Sequence, residues 1–186
     1  MDDRAPRTLL LLSGSLRAGS TNSALLATIA AEPPPGVTAH VFTAMARLPH
    51  FNPDDDVEGG GLDPAVVALR AAIAAADALL ISTPEYAGAL PGSFKNLLDW
   101  TIGGGEIDGK PVAWINVAGA AAPTGGADAH DSLRKVLTYA GTRIVEDACR
   151  RIPVPRTAVG PDGLLADAAL RAEVAAAVDA LLAGLG

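Results

Sequence analysis

The sequence predicts an α/β fold built around a doubly wound parallel sheet. Apolar runs of strand length alternate with helix-period segments along the 186 residues, and the unusual residues cluster where those runs end. A hydrophobic content of 49%, rich in alanine, suits strands buried under packed helices. Short central strands each followed by a helix favour parallel pairing through right-handed crossovers.

The elements follow in order. Residues 8–12, Thr-Leu-Leu-Leu-Leu, form the first strand, and residues 22–31 the first helix. Residues 38–42 make the second strand. The stretch 46–61, with Pro49, Pro53, an aspartate run and a triple glycine, has turn-forming composition and is expected to lie mobile over one edge. A helix is predicted over 64–76, a strand over 78–82, and a helix over 91–101, where Phe94, Leu97, Leu98 and Thr101 share one stripe. Three glycines, Gly103 to Gly105, end it. Residues 112–117 and 143–148 are the fourth and fifth strands, with a helix over 127–140 between them. A last helix over 164–182 places Leu170, Val174, Val178 and Leu181 on one face. The length fits a single domain over 1–186.

Two strand exits carry chemistry. The first is Ser13-Gly-Ser-Leu-Arg-Ala-Gly-Ser-Thr-Asn22, which leads directly into a helix. Free amides and the dipole at such a helix start attract an anion. Ser13, Ser15, Ser20 and Thr21 bring hydroxyl donors, and Arg17 brings a planar fork suited to phosphate. The loop has no lysine for a P-loop, lacks the three glycines of the dinucleotide fingerprint, and has no cysteine nucleophile, since the one cysteine is Cys149. A monophosphate held by hydroxyls, amides and one arginine remains. The second exit is Thr83-Pro-Glu-Tyr-Ala-Gly-Ala-Leu-Pro-Gly92, where Pro84 stiffens the backbone, Gly88 permits a close approach and Tyr86 offers an aromatic face to a planar ligand.

Together, in this order, the two motifs resemble those of the NADPH-dependent FMN reductase family, over residues 9 to about 148. The resemblance implies a flavodoxin-like three-layer α/β/α sandwich with a five-stranded parallel sheet of order 2-1-3-4-5. Its ligand would lie beyond the carboxyl ends of strands 1 and 3. It also implies Ser15, Arg17, Ser20 and Asn22 around the phosphate of FMN, with Ser13 and Thr21 beside them. Pro84, Glu85, Tyr86, Ala87 and Gly88 would lie along the flavin ring. Ala87 departs from the asparagine usual in the family, and Ala89 from the common serine, which touches substrate preference more than flavin binding. The loop after the fourth strand would border the flavin, with Gly119 as its site residue and Gly125 and Gly126 as further candidates.

The implied activity is ping-pong transfer of a hydride from NADPH or NADH through bound FMN to a quinone, free flavin, azo compound or similar small-molecule acceptor. The cofactor carries the chemistry, so no acid–base residue is assigned, and Glu85 reads as a positioning carboxylate. A flavodoxin-type electron carrier and a non-catalytic flavin-binding sensor stand as alternatives. The resemblance further implies a homodimer or homotetramer, with Trp100 and the helix carrying Leu133, Val136 and Leu137 as candidate contacts.

A net charge of −7 and a pI near 4.8, with no basic cluster, argue against nucleic acid or an anionic membrane as partner. No Cys/His spacing suggests a metal site, and His40, His50 and His130 read as surface or loop residues. The run 8–12 is too short for a signal peptide or a membrane span, which leads to a cytoplasmic expectation.

Overall fold

The computed structural model describes residues 5–57, 60–119 and 122–185. In chain order the elements are β1 (Arg7–Ser13), α1 (Thr21–Ala31), β2 (Val37–Val41), α2 (Pro64–Ala75), β3 (Ala78–Ser82), α3 (Gly92–Asp99), β4 (Pro111–Asn116), α4 (Ala127–Tyr139), β5 (Arg143–Ile144), β6 (Arg150–Arg151) and α5 (Ala168–Ala183). The strands pair in parallel in the order β2-β1-β3-β4-β5, and β6 also pairs with β4. This is the predicted 2-1-3-4-5 sheet with helices on both faces.

The leucine run of β1 is apolar throughout because both of its faces are covered. Leu9 and Leu11 pack with Leu25 and Leu26 of α1 and Val178 and Leu181 of α5. Leu10 and Leu12 point the other way, into a core shared with Ile73 of α2, Phe94 of α3 and Leu137 of α4. Each fully buried leucine contributes about 1.5–3 kcal/mol, so the central strands anchor both layers. α2 begins where Asp63 accepts from Ala65 N at 2.7 Å and Pro64 occupies the first turn, a favourable start for a helix.

Four expectations are corrected. The fifth strand does not run through 143–148. Val145 N still donates to Val112 O at 2.9 Å, but residues Glu146–Ala148 then form a 3-10 turn, and the ladder resumes only at Arg150, opposite Ile115. Glu146 leaves the sheet to form a two-pronged ion pair with Arg134 of α4. The final helix starts at Ala168, not 164, because Leu165 bridges back to Val159 and Asp167 caps the helix through Ala169 N at 2.8 Å.

The stretch after β2 is fastened, not a loose cover. Phe51 N donates to Asn96 Oδ1 at 2.7 Å, Trp100 Nε1 donates to Pro49 O at 2.9 Å, and the Phe51 and Trp100 rings meet edge-on at 5.0 Å. Asp56 pairs with Arg70 at 2.8 Å in a largely buried contact. Residues 58 and 59 of that stretch lie outside the described residues. Finally, Trp100, Leu133 and Leu137 are buried within this chain and so are not free for a subunit contact, while Val136 is half-buried.

Candidate functional site

The β1 exit is braced by its own hydroxyls. Ser15 N donates to Ser13 Oγ and Arg17 N to Ser15 Oγ, both at 3.3 Å, and Ser13 Oγ lies 2.9 Å from Ser23 Oγ. Gly14 is required by close approach: a Cβ there would stand 2.0 Å from Thr83 Oγ1, so only glycine lets the β1 and β3 exits run side by side. Gly19 takes a φ of +65° just before α1. Ser20 is the residue preceding α1, yet its hydroxyl makes no capping bond, and the first turn carries no acid. α2 and α5 begin on a capping aspartate, so α1 is left with donors facing outward.

The β3 exit folds back as a tight hairpin. Tyr86 N donates to Ala89 O at 3.1 Å and Ala89 N to Tyr86 O at 3.2 Å. The two central residues, Ala87 and Gly88, have φ of +52° and +72°. Positive φ at both positions marks the type I′ turn that matches strand twist and prefers Asn-Gly. Tyr86 is left half exposed at the rim.

The β4 exit is held by two side chains. Asn116 donates to Gly125 O at 2.7 Å and accepts from Ala118 N at 2.8 Å, which curls the loop around it. Gly126 precedes α4 at φ +80° and has no side chain to cap that helix. Glu85 supplies the cap from the β3 loop: it accepts from Ala129 N at 3.2 Å and from the Thr124 hydroxyl at 2.6 Å. The Thr124 bond is the main reason the Glu85 carboxyl is held below its ordinary range; desolvation, the next largest effect, opposes it, and the α4 amides of Ala129 and Asp128 add to the lowering. Glu85 is therefore an ionised brace between two loops.

These exits enclose one cleft of about 570 Å³, in the range of small-molecule sites. Of the residues singled out in sequence, Ser15, Arg17, Ser20, Thr21, Asn22, Pro84, Glu85, Tyr86 and Gly119 line it. Ser13, Ala87 and Gly88 do not; they shape the loops instead. Asn22 turns its Oδ1 inward to Ser82 Oγ at 2.9 Å, which leaves its amide donors for the cleft. Gly126 lines the cleft, whereas Gly125 sits against Arg151. Sequence reasoning missed Asn116 and Arg156, both on the lining. The position of Asn116 at an apolar-run exit was a usable signal; nothing local marked Arg156.

The sequence profile of the NADPH-dependent FMN reductase family matches residues 7–152. The chain belongs to that family. It is 38% identical over 133 residues to an NAD(P)H-dependent FMN reductase of Pseudomonas aeruginosa, covering 70% of this chain and 69% of that one. It is 32% identical over 133 residues to a quinone reductase of Escherichia coli, with the same coverage of 70% and 69%. The solved structure of FerB, a flavoenzyme NAD(P)H:(acceptor) oxidoreductase from Paracoccus denitrificans, superposes with a TM-score of 0.77 at 29% identity, covering 95% of this chain and 98% of that one.

The cleft fits the FMN of this family on its own chemistry. Uncapped α1 amides, the Ser20 hydroxyl and Arg17 form a donor set with no acid among them, as a phosphate requires. Among the described residues no helix is long and apolar enough to cross a membrane, and no group of three His, Cys, Asp or Glu is placed to hold a metal.

A second, shallower cleft of about 370 Å³ opens at the broken sheet edge, beside Trp114, His130, Arg134, Glu146 and Cys149. His130 is not a surface loop residue: it sits on α4, stacked against Trp114 at 6.0 Å, with a buried Nε2 that finds no partner among the described residues. Burial pushes its pKa down to about 4, against a weaker upward pull from Glu85. Burial likewise pushes the Cys149 thiol up.

Proposed function

We propose that this protein is an FMN-dependent NAD(P)H oxidoreductase that reduces a small-molecule acceptor such as a quinone, free flavin or azo compound. The observation that carries the reading is the convergence of three strand exits on one cleft, with a phosphate-type donor set at α1 and an aromatic rim at Tyr86. Bound FMN supplies the redox chemistry, taking two electrons from a reduced nicotinamide and giving them to the acceptor. The chain's own residues bind and orient. Ser15, Ser20, Thr21, Asn22, Arg17 and the α1 amides hold the phosphate; Pro84, Tyr86 and Gly119 border the ring. Glu85, ionised and occupied by Thr124 and Ala129, fixes the distance between two walls of the cleft and is not a proton donor. Ser13, Ala87 and Gly88 act indirectly, by setting loop shape.

The wider reading is a single cytoplasmic domain acting as a homodimer or homotetramer. The names of the relatives above support the donor and acceptor classes, and the donor chemistry of the cleft supports the cofactor. The test is a visible spectrum of the protein with FMN under anaerobic conditions, before and after stoichiometric NADPH and then NADH. Bleaching of the flavin band, with recolouring on adding a quinone, is the expected result. Bound FMN that neither nucleotide bleaches would move the protein to an electron carrier or sensor, and failure to bind FMN would overturn the site assignment.

A further inference from the structure

We propose that Arg156 is a second phosphate-binding cation of the cleft, set to face the same anion as Arg17 and to select FMN over unphosphorylated riboflavin. The proposal rests on the FMN reading above. After β6 the chain keeps following the end of β4: Ile152 N donates to Asn116 O at 2.8 Å and Val154 N to Val117 O at 3.1 Å. Pro153 and Pro155 flank Val154 and stiffen the crossing. Residues Arg156–Ala158 then form a 3-10 turn. That turn is tied to the α1 side of the sheet, because Ala158 O accepts from Ala166 N at 2.8 Å and the neighbouring Leu165 N donates to Thr28 Oγ1 of α1 at 2.9 Å. Arg156 therefore borders the cleft from the face whose helix opens with free amides.

Charge completes the case. Among the described residues, neither Arg17 nor Arg156 has a carboxylate at ion-pair distance. The one acid on the lining among the described residues, Glu85, is occupied by Thr124 and Ala129. A phosphate monoester carries roughly −1.5 to −2 at neutral pH. Arg17 with the start of α1 supplies roughly +1.5, counting about half a charge from the helix. A second guanidinium raises this to roughly +2.5, which exceeds the charge of even a fully ionised phosphate and so favours the dianion, whereas riboflavin has nothing for it to meet.

The experiment measures dissociation constants of FMN and riboflavin, by quenching of flavin fluorescence, for the wild type, Arg156→Gln, Arg156→Lys and Arg17→Gln. Arg156 is exposed, so its variants keep the fold's core intact. Loss of one charge-assisted contact predicts a rise of about tenfold or more in the FMN constant of Arg156→Gln. Riboflavin binding stays unchanged, Arg156→Lys falls in between, and Arg17→Gln follows the same pattern. Equal weakening of both flavins would overturn the proposal by making Arg156 a prop for its loop. Unchanged FMN binding with a raised KM for NADPH would also overturn it, moving Arg156 to the nucleotide. A wild type that binds neither flavin would refute the cofactor reading itself, a result distinct from either.

Discussion

Ala87 stands in a conformation that suits it poorly, and replacing it with asparagine should stabilise the protein. Its φ of +52° lies in the left-handed region, where a Cβ crowds the following carbonyl at about 1–2 kcal/mol for an ordinary L-residue. Asparagine tolerates this region through local hydrogen bonding, and Asn-Gly is the preferred pair of the type I′ turn that Ala87 and Gly88 build. The side chain is exposed, so the exchange alters no packing. Ala87→Asn should therefore gain about 1 kcal/mol. Ala87→Gly should gain less, because glycine gives back roughly 0.4–1 kcal/mol through the freedom of the unfolded chain. Ala87→Val, branched at Cβ, should lose stability. Urea unfolding of the flavin-free protein reads this directly: the midpoint moves with the slope unchanged, and the melting temperature rises by about 2–4 °C for each kcal/mol at this chain length. An asparagine variant no more stable than the wild type, with an unchanged slope, would refute the assignment of strain to this turn.

Three further outcomes are expected. Asp56→Ala removes the two-point partner of the buried Arg70 guanidinium, which keeps Trp100 O at 2.9 Å and Glu106 at 3.9 Å, and should cost about 1–3 kcal/mol in urea unfolding; a loss below about 1 kcal/mol would show that water or Glu106 replaces the carboxylate. His130 is neutral when folded, with its pKa lowered to about 4, while the unfolded chain takes up a proton nearer 6.5. Stability should therefore fall by on the order of 3 kcal/mol as pH drops through that window, and His130→Gln should flatten the slope. Glu85→Ala removes the cap of α4 and should cost about 0.5–2 kcal/mol, with faster amide exchange at Ala129. Because the Glu85 carboxyl is held low, its contribution is complete above the ordinary carboxylate pKa and disappears as pH falls through the lowered one. Unchanged exchange at Ala129 in that variant would contradict the bracing role.

The central strands were legible because burial on both faces writes itself as uninterrupted apolar residues, as in Leu9 to Leu12. The loops at their ends were legible because an anion and a flat ring need recognisable side chains and glycines. What escaped depends on partners distant in sequence. The break after β5 follows from Glu146 reaching Arg134 across the fold, a choice open to an edge strand with one neighbour. The fastening of the stretch after β2 rests on Arg70, 14 residues from its partner, and on Asn96 and Trp100, 45 and 51 residues from theirs. A helix stripe shows which residues are apolar but not whether they meet their own core or another subunit, and Trp100, Leu133 and Leu137 were ambiguous for that reason. Arg156 joins the cleft only because β6 exists, and two residues of strand leave little trace in sequence.

The interrupted border of the sheet governs how copies of this chain can meet. Beyond β4 the ladder is carried by two fragments of two residues each, separated by a turn, and arginine stands at Arg143, Arg150 and Arg151. An uninterrupted outer strand would offer a row of unpaired amides and carbonyls on which a neighbour could build a continuous intermolecular sheet. Here the row is cut before it is long enough to template one, and like charges repel a second border of the same kind. Growth by strand addition is closed on this side, which leaves the five-residue β2, at the opposite end of the strand order, as the sheet's only uninterrupted border among the described residues.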